Sequence, residues 1–257
     1  MLLAIDIGNT NITLAVFDGE DIIKTYRLTS KIKRASDEYG LLISEFLAKD
    51  HIKNSDIDDV VIASVVPKIM HSFNNAIRHY LRIEPLIIDA DIKMDLSLNF
   101  DNPLEVGADR IADAMGAKHS YQGDLLVVDF GTATTFEVID HNGVYQGGCI
   151  CPGVEIMANA LSQNTAKLPE IEIKPIEKVL AKNTSEAMQA GIYYGYLGLT
   201  EHIIQQFKDQ TKLDLYVVAT GGLGRIIANN STMIDVYDRE LTFKGLKALY
   251  DMNKETR

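Results

Sequence analysis

The sequence predicts an α/β fold made of two similar lobes that face each other across a cleft. Strand-like hydrophobic runs alternate with helical patterns along the whole chain, which is typical of this class. The strand–turn–strand pattern at the start of the chain occurs a second time near its middle, which indicates a duplication. Hydrophobic residues make up 46% of the 257 residues, enough for a substantial core, so disorder is excluded as the main state.

The first half begins with a buried strand at residues 2–5 and a second strand at 12–17, which the turn signal Asp18-Gly19 ends. A helix with Ser36 as its N-cap is predicted next, because Leu42, Phe46 and Leu47 recur on one face. The remaining predictions for this half are a strand at 59–66, a helix from Pro67, a strand at 86–88, an irregular stretch over 89–105 and a helix over 108–121.

The second half repeats the opening pattern. Adding 123 to positions 2, 3, 6 and 8 gives 125, 126, 129 and 131, and Leu, Leu, Asp and Gly recur there without a gap. Strands are predicted at 125–128 and 135–139, so we expect one lobe at 1–121 and a second at 122–257. Further predictions are a helix over 185–208, a strand at 215–219 that runs into Thr220-Gly221-Gly222, and a last helix over 244–254.

Charge and composition exclude several function classes. The net charge of −11 argues against an electrostatic grip on nucleic acid, which needs a basic face. No hydrophobic run approaches the ~18 residues of a membrane span, and the N-terminus lacks the basic start of a signal peptide, so we expect a cytoplasmic protein. Cys149 and Cys151 are expected to be two small buried thiols in a reducing compartment, not a disulfide or a metal site.

The turn Asp6-Ile7-Gly8-Asn9-Thr10-Asn11 has the composition of a phosphate-binding loop. Glycine lets the backbone turn sharply and approach a ligand, while the following amides and the Asn9 and Thr10 side chains can surround phosphate oxygens. Asp6 can hold hydrated Mg²⁺, which prefers one or two carboxylates together with substrate phosphates. The same turn could also be an ordinary β-hairpin.

Two further glycine-bearing strand ends favour the phosphate-binding interpretation of this turn. The second copy at Asp129-Phe130-Gly131-Thr132 and the turn Thr220-Gly221-Gly222 are what a cleft that binds a nucleotide from both lobes requires. The sequence contains neither a Walker-type loop nor the Gly-x-Gly-x-x-Gly pattern of dinucleotide-binding folds.

An ordered set of motifs resembles the type III pantothenate kinase family. The motifs run from residue 6 to Gly222 and cover nearly the whole chain. They are Asp6-Ile7-Gly8-Asn9-Thr10, Ser64-Val65-Val66-Pro67, Asp101-Asn102-Pro103, Val106-Gly107-Ala108-Asp109-Arg110, Asp129-Phe130-Gly131-Thr132-Ala133-Thr134-Thr135 and Gly147-Gly148-x-Ile150-x-Pro152-Gly153. The resemblance implies two ribonuclease-H-like lobes of the acetate/sugar kinase–Hsp70–actin superfamily with an ATP cleft between them. It also implies ATP-dependent phosphorylation of pantothenate to 4′-phosphopantothenate, the first step toward coenzyme A.

The resemblance implies that Asp109 is the general base that accepts the proton of the substrate hydroxyl. Asp109 lies in the first turn of a predicted helix, where the helix dipole favours the ionised carboxylate and is expected to lower its basicity. A loose phosphoryl-transfer transition state needs little base strength. The substrate pocket would also include Gly107, Ala108, Arg110, Thr184 and Phe100. Phe100 stands where the family usually has Tyr, and Thr184 could equally be the N-cap of the long helix.

The resemblance also assigns cofactors and an assembly state. Asp129 would hold a monovalent cation, K⁺ or NH₄⁺, and the protein would form a homodimer. The apolar residues of the helix over 185–208 cover more than one face, which fits either a dimer surface or burial between the lobes. The residues expected to contact ATP are Asp6, Ile7, Gly8, Asn9, Thr10, Asn11, Thr132, Gly221 and Gly222.

Two other functions compete with this interpretation. One is another small-molecule kinase of the same superfamily, which should lack the element Gly107-Ala108-Asp109-Arg110. The other is a transcriptional accessory protein that uses the fold without the chemistry. The presence of Asp6, Asp109 and Asp129 favours an active kinase.

Overall fold

The structure is a computed structural model that describes residues 1–256 as two compact units. The first unit comprises Met1–Leu96, Asp101–Ser120 and the chain from Leu241 onward. The second comprises Ser97–Phe100 and Tyr121–Glu240. Each unit combines one sheet with helices, which confirms the α/β class. The lobe bounds 1–121 and 122–257 stay a prediction.

Eleven strands and seven α-helices make up the described chain. The strands are β1 (Leu2–Ile7), β2 (Asn11–Asp18), β3 (Asp21–Thr29), β4 (Asp59–Ser64), β5 (Leu86–Ile87), β6 (Ser97–Leu98), β7 (Asp124–Phe130), β8 (Ala133–Ile139), β9 (Val144–Pro152), β10 (Leu215–Thr220) and β11 (Val236–Tyr237). The helices are α1 (Ser36–Lys49), α2 (Pro67–Ala76), α3 (Ala108–Ser120), α4 (Val154–Gln163), α5 (Thr184–Thr211), α6 (Gly224–Ala228) and α7 (Leu241–Asn253). A π-helical turn at Ile77–Leu81 continues α2, and 3₁₀ turns cover Asn54–Asp56, Pro103–Glu105 and Lys254–Thr256.

The two sheets share one topology. The sheet of the first unit has the order β3-β2-β1-β4-β5, and the second has β9-β8-β7-β10-β11 with β6 added beside β9. In both sheets the first three strands are antiparallel neighbours, and the next two continue in parallel. The predicted duplication therefore extends from the hairpin to the whole five-stranded sheet.

Helix α3 packs on α7 at very close range within the first unit. A Cβ atom added at Gly245 would lie 1.7 Å from the carbonyl oxygen of Ala112, and one added at Gly116 would lie 2.2 Å from that of Leu241. Only glycine fits at these two positions, because any larger residue would overlap the backbone of the other helix. This contact fixes α3, the helix on which Asp109 lies.

Several predicted boundaries are wrong by a few residues. Helix α1 starts at Ser36 itself, and the cap is Ala35, whose N–H donates to the Glu38 carboxylate at 2.7 Å. Helix α7 begins at Leu241, three residues before the predicted start, and β4 ends at Ser64 instead of 66. Helix ends depend on local hydrogen bonds that periodicity does not reveal.

The sequence analysis does not predict the strands β3, β6, β9 and β11 or the helices α4 and α6. Cys149 and Cys151 lie on β9, and both are free thiols that are half-buried, not fully buried as predicted. Burial raises the pKa of the Cys149 thiol to about 11, so this thiol is protonated at neutral pH. No helix within residues 1–256, the 28-residue α5 included, combines the length and hydrophobicity that crossing a bilayer requires.

Candidate active site

The first predicted turn lies at the end of β1. Asp6 is half-buried, and its Oδ2 accepts a 3.4 Å hydrogen bond from the hydroxyl of Thr13, its cross-strand neighbour on β2. The N–H of Gly8 donates to the carbonyl of Asn11 at 2.9 Å, which closes the hairpin. Asn9 at its tip is exposed. A Cβ at Gly8 would lie 3.3 Å from the Asn11 oxygen, so glycine keeps this turn tight.

Ile7 and Thr10 of this turn interact with other parts of the first unit. The side chain of Ile7 is fully buried in the hydrophobic core, so any contact of Ile7 with a nucleotide must involve its backbone. The carbonyl of Thr10 accepts hydrogen bonds from the Ser30 N–H at 3.0 Å and from the Thr29 hydroxyl at 3.4 Å. The end of β3 and the residue that follows it therefore hydrogen-bond to the backbone of the turn.

The structure brings Asp109 to the same edge of this sheet. Val65, directly after β4, donates its N–H to the carbonyl of Ile7 at 3.1 Å. A Cβ at Gly107 would lie 3.3 Å from Val65 Cγ1 and 2.5 Å from Asp109 Oδ1. Gly107 thus leaves room for the Asp109 carboxylate to turn back over the start of α3, beside the strand end that carries Asp6. Ligands of parallel sheets commonly bind at such carboxyl ends.

The predicted direction of the net pKa shift of Asp109 is wrong. The Asp109 Oδ1 accepts the Arg110 N–H at 2.7 Å, and this bond and the Arg110 charge both favour the ionised form. Burial of the carboxylate outweighs them and raises the pKa of Asp109 above its ordinary value of 3.8. The structure therefore makes Asp109 a stronger base than a free aspartate.

The second unit places another half-buried carboxylate at the end of β7. Asp129 is paired with Thr135 on β8 and with Thr220 on β10. Glycines lie against both of its oxygens: a Cβ at Gly221 would be 2.4 Å from Oδ1, and a Cβ at Gly131 would be 3.1 Å from Oδ2. Gly221 also has φ +90°, a conformation that favours glycine.

Backbone from two further segments borders this turn. Gly153, the N-cap of α4, donates its N–H to the carbonyl of Thr132 at 3.1 Å, and a Cβ at Gly153 would lie 2.3 Å from that oxygen. Tyr237 on β11 donates its hydroxyl hydrogen to the carbonyl of Gly221 at 2.9 Å. Thr132 and Gly222 are both exposed. The second unit therefore brings Asp129, Thr132 and Gly221 together.

Phe100 and Thr184, the two predicted substrate residues of the second unit, differ from each other in their surroundings. Phe100 is half-buried, and its ring stands edge-on to that of Tyr145 with centroids 5.0 Å apart. Thr184 is exposed at the start of α5, where it lines an apolar groove of about 620 Å³ between α4 and α5. The alternative role of Thr184 as N-cap is wrong, because Asn183 caps the helix by accepting the Glu186 N–H at 2.9 Å.

The donor set limits the metal chemistry that the chain can support. Residues 1–256 contain no group of three or more His, Cys, Asp or Glu side chains that could hold a metal ion. Asp6 and Asp129 each offer a single carboxylate beside a backbone turn. That set fits Mg²⁺ and a monovalent cation only where substrate phosphates and water complete the coordination.

Comparison with known proteins decides the family. A model of the type III pantothenate kinase family matches residues 2–206. A type III pantothenate kinase of Agathobacter rectalis is 50% identical over 251 residues, which is 97% of this chain and 96% of that protein. One from Listeria monocytogenes is 45% identical over 256 residues, covering 100% and 99%. The chain belongs to the type III pantothenate kinase family. It is therefore a kinase that uses ATP and a small-molecule substrate.

More distant crystal structures support the fold of this kinase family. A Baf family transcriptional activator from Campylobacter jejuni is 22% identical with a TM-score of 0.61, covering 98% of this chain and 99% of that one. A 2-dehydro-3-deoxygalactonokinase from Sinorhizobium meliloti is 13% identical with a TM-score of 0.58, covering 97% and 95%. These likenesses agree with the α/β fold with two sheets that the motifs predict. At these identities the likeness concerns the fold only.

Val65 and Gly153 lie inside the motifs that resemble the family, but the sequence alone predicts no role for either residue. In the structure Val65 contacts the start of α3, and Gly153 covers the Thr132 turn. Their positions inside ordered motifs were the only signal that the sequence offered. Neither residue type has chemistry of its own, so only the packing reveals what each does.

Proposed function

We propose that this kinase transfers the γ-phosphoryl group of ATP to the 4′-hydroxyl of pantothenate. The match to the family over nearly the whole chain carries the proposal. The hydroxyl oxygen forms the new bond to the γ-phosphorus, the bond from that phosphorus to the β,γ-bridging oxygen breaks, and ADP leaves. The product is 4′-phosphopantothenate, which begins the synthesis of coenzyme A.

Asp109 accepts the proton of the attacking hydroxyl in this proposal. Its raised pKa supports that role, because a base works best when its pKa approaches the working pH. The Gly107 backbone and the Arg110 N–H orient the carboxylate. Positioning contributes more than base strength in phosphoryl transfer, so a half-buried and immobilised carboxylate suits the reaction.

The nucleotide and its cations are assigned to the two glycine-bearing turns. Asp6 would hold Mg²⁺, with Gly8, Asn9, Thr10, Asn11 and the backbone of Ile7 next to the phosphates. Thr132 and Gly221-Gly222 would contact ATP, and Asp129 would hold K⁺ or NH₄⁺. Cations bound there would supply positive charge to the phosphates. The glycines against both oxygens of Asp129 support a fixed carboxylate there.

Pantothenate contacts Gly107, Ala108, Arg110, Phe100 and Thr184 in this proposal. Arg110 supplies a charge for the carboxylate of the substrate, and Phe100 supplies an apolar wall. We further propose that the protein is a cytoplasmic homodimer. The apolar groove beside Thr184 and the exposed side chains of Val179 and Leu180, which precede α5 in the chain, support an interaction surface.

Neither competing function is favoured. Relatives at 45–50% identity are type III pantothenate kinases, whereas a protein described as a transcriptional activator is only 22% identical. The element Gly107-Ala108-Asp109-Arg110, which another kinase of the superfamily should lack, is intact. All three carboxylates needed for catalysis are also present.

An ADP-release assay tests the proposal. The purified protein is given ATP, Mg²⁺ and one of several acceptors: pantothenate, acetate, glucose or N-acetylglucosamine, each with and without K⁺. ADP formation that requires pantothenate and increases with K⁺ supports the proposal. Turnover with a sugar or acetate but not with pantothenate would transfer the protein to the first competing class. No ADP formation with any acceptor would favour the second.

A further inference from the structure

A β-bulge interrupts the pairing of β8 with β9. Glu137 faces Gly148 and Val138 faces Gly147, but the next residue, Ile139, faces Tyr145. Gln146 is thus an extra residue in β9, and Gly147 beside it has φ +118°. Because side chains alternate along a strand, the extra residue moves Tyr145 to the face of the sheet that carries Glu137.

The bulge makes a buried pair of polar side chains possible. The Tyr145 hydroxyl donates a hydrogen bond to Glu137 Oε2, and the two residues are 0% and 1% exposed. A buried carboxylate is costly unless it is hydrogen-bonded, so Tyr145 stabilises Glu137 where it lies. Gly148 provides the space, since a Cβ there would lie 2.4 Å from the same oxygen. The two adjacent glycines of the 147–153 motif therefore serve this pair.

Tyr145 in turn holds Phe100 in two ways. The Phe100 ring packs edge-on against the Tyr145 ring, with an interplanar angle of 90° and centroids 5.0 Å apart. The carbonyl of Tyr145 accepts the Asn99 N–H at 3.0 Å, and the Asn99 side chain donates to the bulge residue Gln146 at 3.2 Å. The backbone immediately before Phe100 and its ring are thus both fixed by β9.

We propose that Glu137 and Tyr145 are positioning residues that fix Phe100 as the wall of the pantothenate pocket. The proposal rests on the function proposed above, in which Phe100 contacts the substrate. Glu137 fixes the orientation of the Tyr145 ring through the phenol, and that ring sets the plane of Phe100. Neither residue takes part in the proton transfer. Their loss should weaken pantothenate binding and leave ATP binding and the chemical step intact.

Steady-state kinetics of Tyr145→Phe provide the main test. This variant keeps the ring and removes the hydroxyl that donates to Glu137. We expect the KM for pantothenate to rise about fivefold, which corresponds to ~1 kcal/mol and to one hydrogen bond, while kcat and the KM for ATP change less than about twofold. Tyr121→Phe is the matched control, because it removes a phenol bond to another carboxylate, Asp238, in the same unit.

Two variants of Glu137 separate positioning from general stability. Glu137→Gln keeps an oxygen that can accept the phenol hydrogen, so we expect a KM for pantothenate close to that of the wild type. Glu137→Leu removes the acceptor and should reproduce the effect of Tyr145→Phe. Should Glu137→Leu fail to fold, Tyr145→Phe and Glu137→Gln still give opposite expectations for the KM of pantothenate.

Tryptophan fluorescence can monitor position 100 directly, because the sequence contains no tryptophan. Phe100→Trp introduces a single reporter, and we expect pantothenate to shift its emission, whereas ADP should not. In the double variant Phe100→Trp/Tyr145→Phe the titration midpoint should move to about fivefold higher pantothenate concentration.

The outcomes distinguish this inference from the proposed function. Wild-type protein without pantothenate-dependent ADP formation would overturn the proposed function and, with it, a substrate role for Phe100. An active wild type whose Tyr145→Phe variant matches Tyr121→Phe in every constant would overturn only the positioning role. Equal rises of both KM values in Tyr145→Phe would assign the pair to general stability and also contradict the inference.

Discussion

The two turns that arose by duplication have diverged in what surrounds their carboxylates. Asp6 and Asp129 lie at equivalent positions of sheets with the same strand order, and both have a threonine as their antiparallel neighbour. On the parallel side, β1 is next to β4, which ends at Ser64, whereas β7 is next to β10, which leads into Gly221. A glycine therefore lies against the Asp129 carboxylate, whereas Ser64 occupies the equivalent position beside β1.

The parallel strand also determines what else reaches each turn. After β4 the chain places Val65 against Gly107, and this contact sets Asp109 beside the end of β1. After β10 the chain turns at Gly221, whose carbonyl accepts a hydrogen bond from the Tyr237 hydroxyl. In the proposed function, the first turn lies at the catalytic site and the second holds a cation beside the phosphates. The duplication supplied the scaffold, and the residues after the parallel strand supplied the difference.

Asp109→Asn should have the largest effect, because it removes the proposed base beside the first turn. We expect kcat to fall by at least ~10²-fold, which is the usual size of general-base catalysis, while the fold is retained. Steady-state ADP release measures it. Asp37→Asn is a matched control, since Asp37 is also an aspartate in the first turn of a helix, on the exposed surface of α1. Turnover of Asp109→Asn near that of the control would exclude the proton-accepting role.

Asp6→Asn and Asp129→Asn should each impair the response of the activity to a different cation. We expect the first to raise the Mg²⁺ concentration needed for half-maximal activity by about tenfold and to keep the response to K⁺. The second should remove most of the K⁺ response and raise the KM for ATP by a similar factor, because each variant loses one charged ligand. Titrations of both metals on both variants measure this. If both variants respond alike, the functional division between the turns is wrong.

Gly221→Ala should show how much the backbone contact with Asp129 matters. The new Cβ would lie 2.4 Å from Asp129 Oδ1 and 2.6 Å from backbone atoms of Phe130, so the carboxylate must move. We expect a several-fold rise in the KM for ATP and a loss of ~1–3 kcal/mol of stability. Gly123→Ala is a close control, because Gly123 also has φ +90° but has nothing within 4 Å of the added Cβ. Equal effects would assign the loss to backbone strain.

Sequence patterns revealed the parts of this fold whose own residues are distinctive. The buried strands β1 and β7 and the Asp–x–Gly turns were found because hydrophobic runs end in turn-forming residues. Strand β3 was missed because most of its residues are exposed, so it shows no hydrophobic alternation, and its pairing with β2 defines it. The bulge that turns Tyr145 toward Glu137 was equally invisible, since register is a property of two strands.

The pKa of Asp109 also could not be predicted from its neighbours in the sequence. Position in a first helical turn predicts a lowered pKa, and the local hydrogen bond from the Arg110 N–H acts in that direction. Burial acts in the opposite direction and prevails. Burial arises only when the chain folds, so no local sequence pattern encodes it.

The smallest expected effect is a gain in stability from Asp109→Asn. Because the folded-state pKa of Asp109 is raised, the folded protein binds this proton more tightly than the unfolded chain does. The contribution of Asp109 to stability therefore falls as the pH rises from about 3.8 through the raised value, and the loss persists at neutral pH.

Asparagine removes the buried charge and keeps an oxygen for the Arg110 N–H. We expect the Tm of Asp109→Asn to exceed that of the wild type at pH 7, by an amount that shrinks below pH 4. Thermal unfolding at both pH values measures this, and Asp129→Asn provides the comparison for the second turn. A lower Tm of Asp109→Asn at pH 7 would mean that burial of Asp109 carries no cost, and that its basicity is set by the helix start after all.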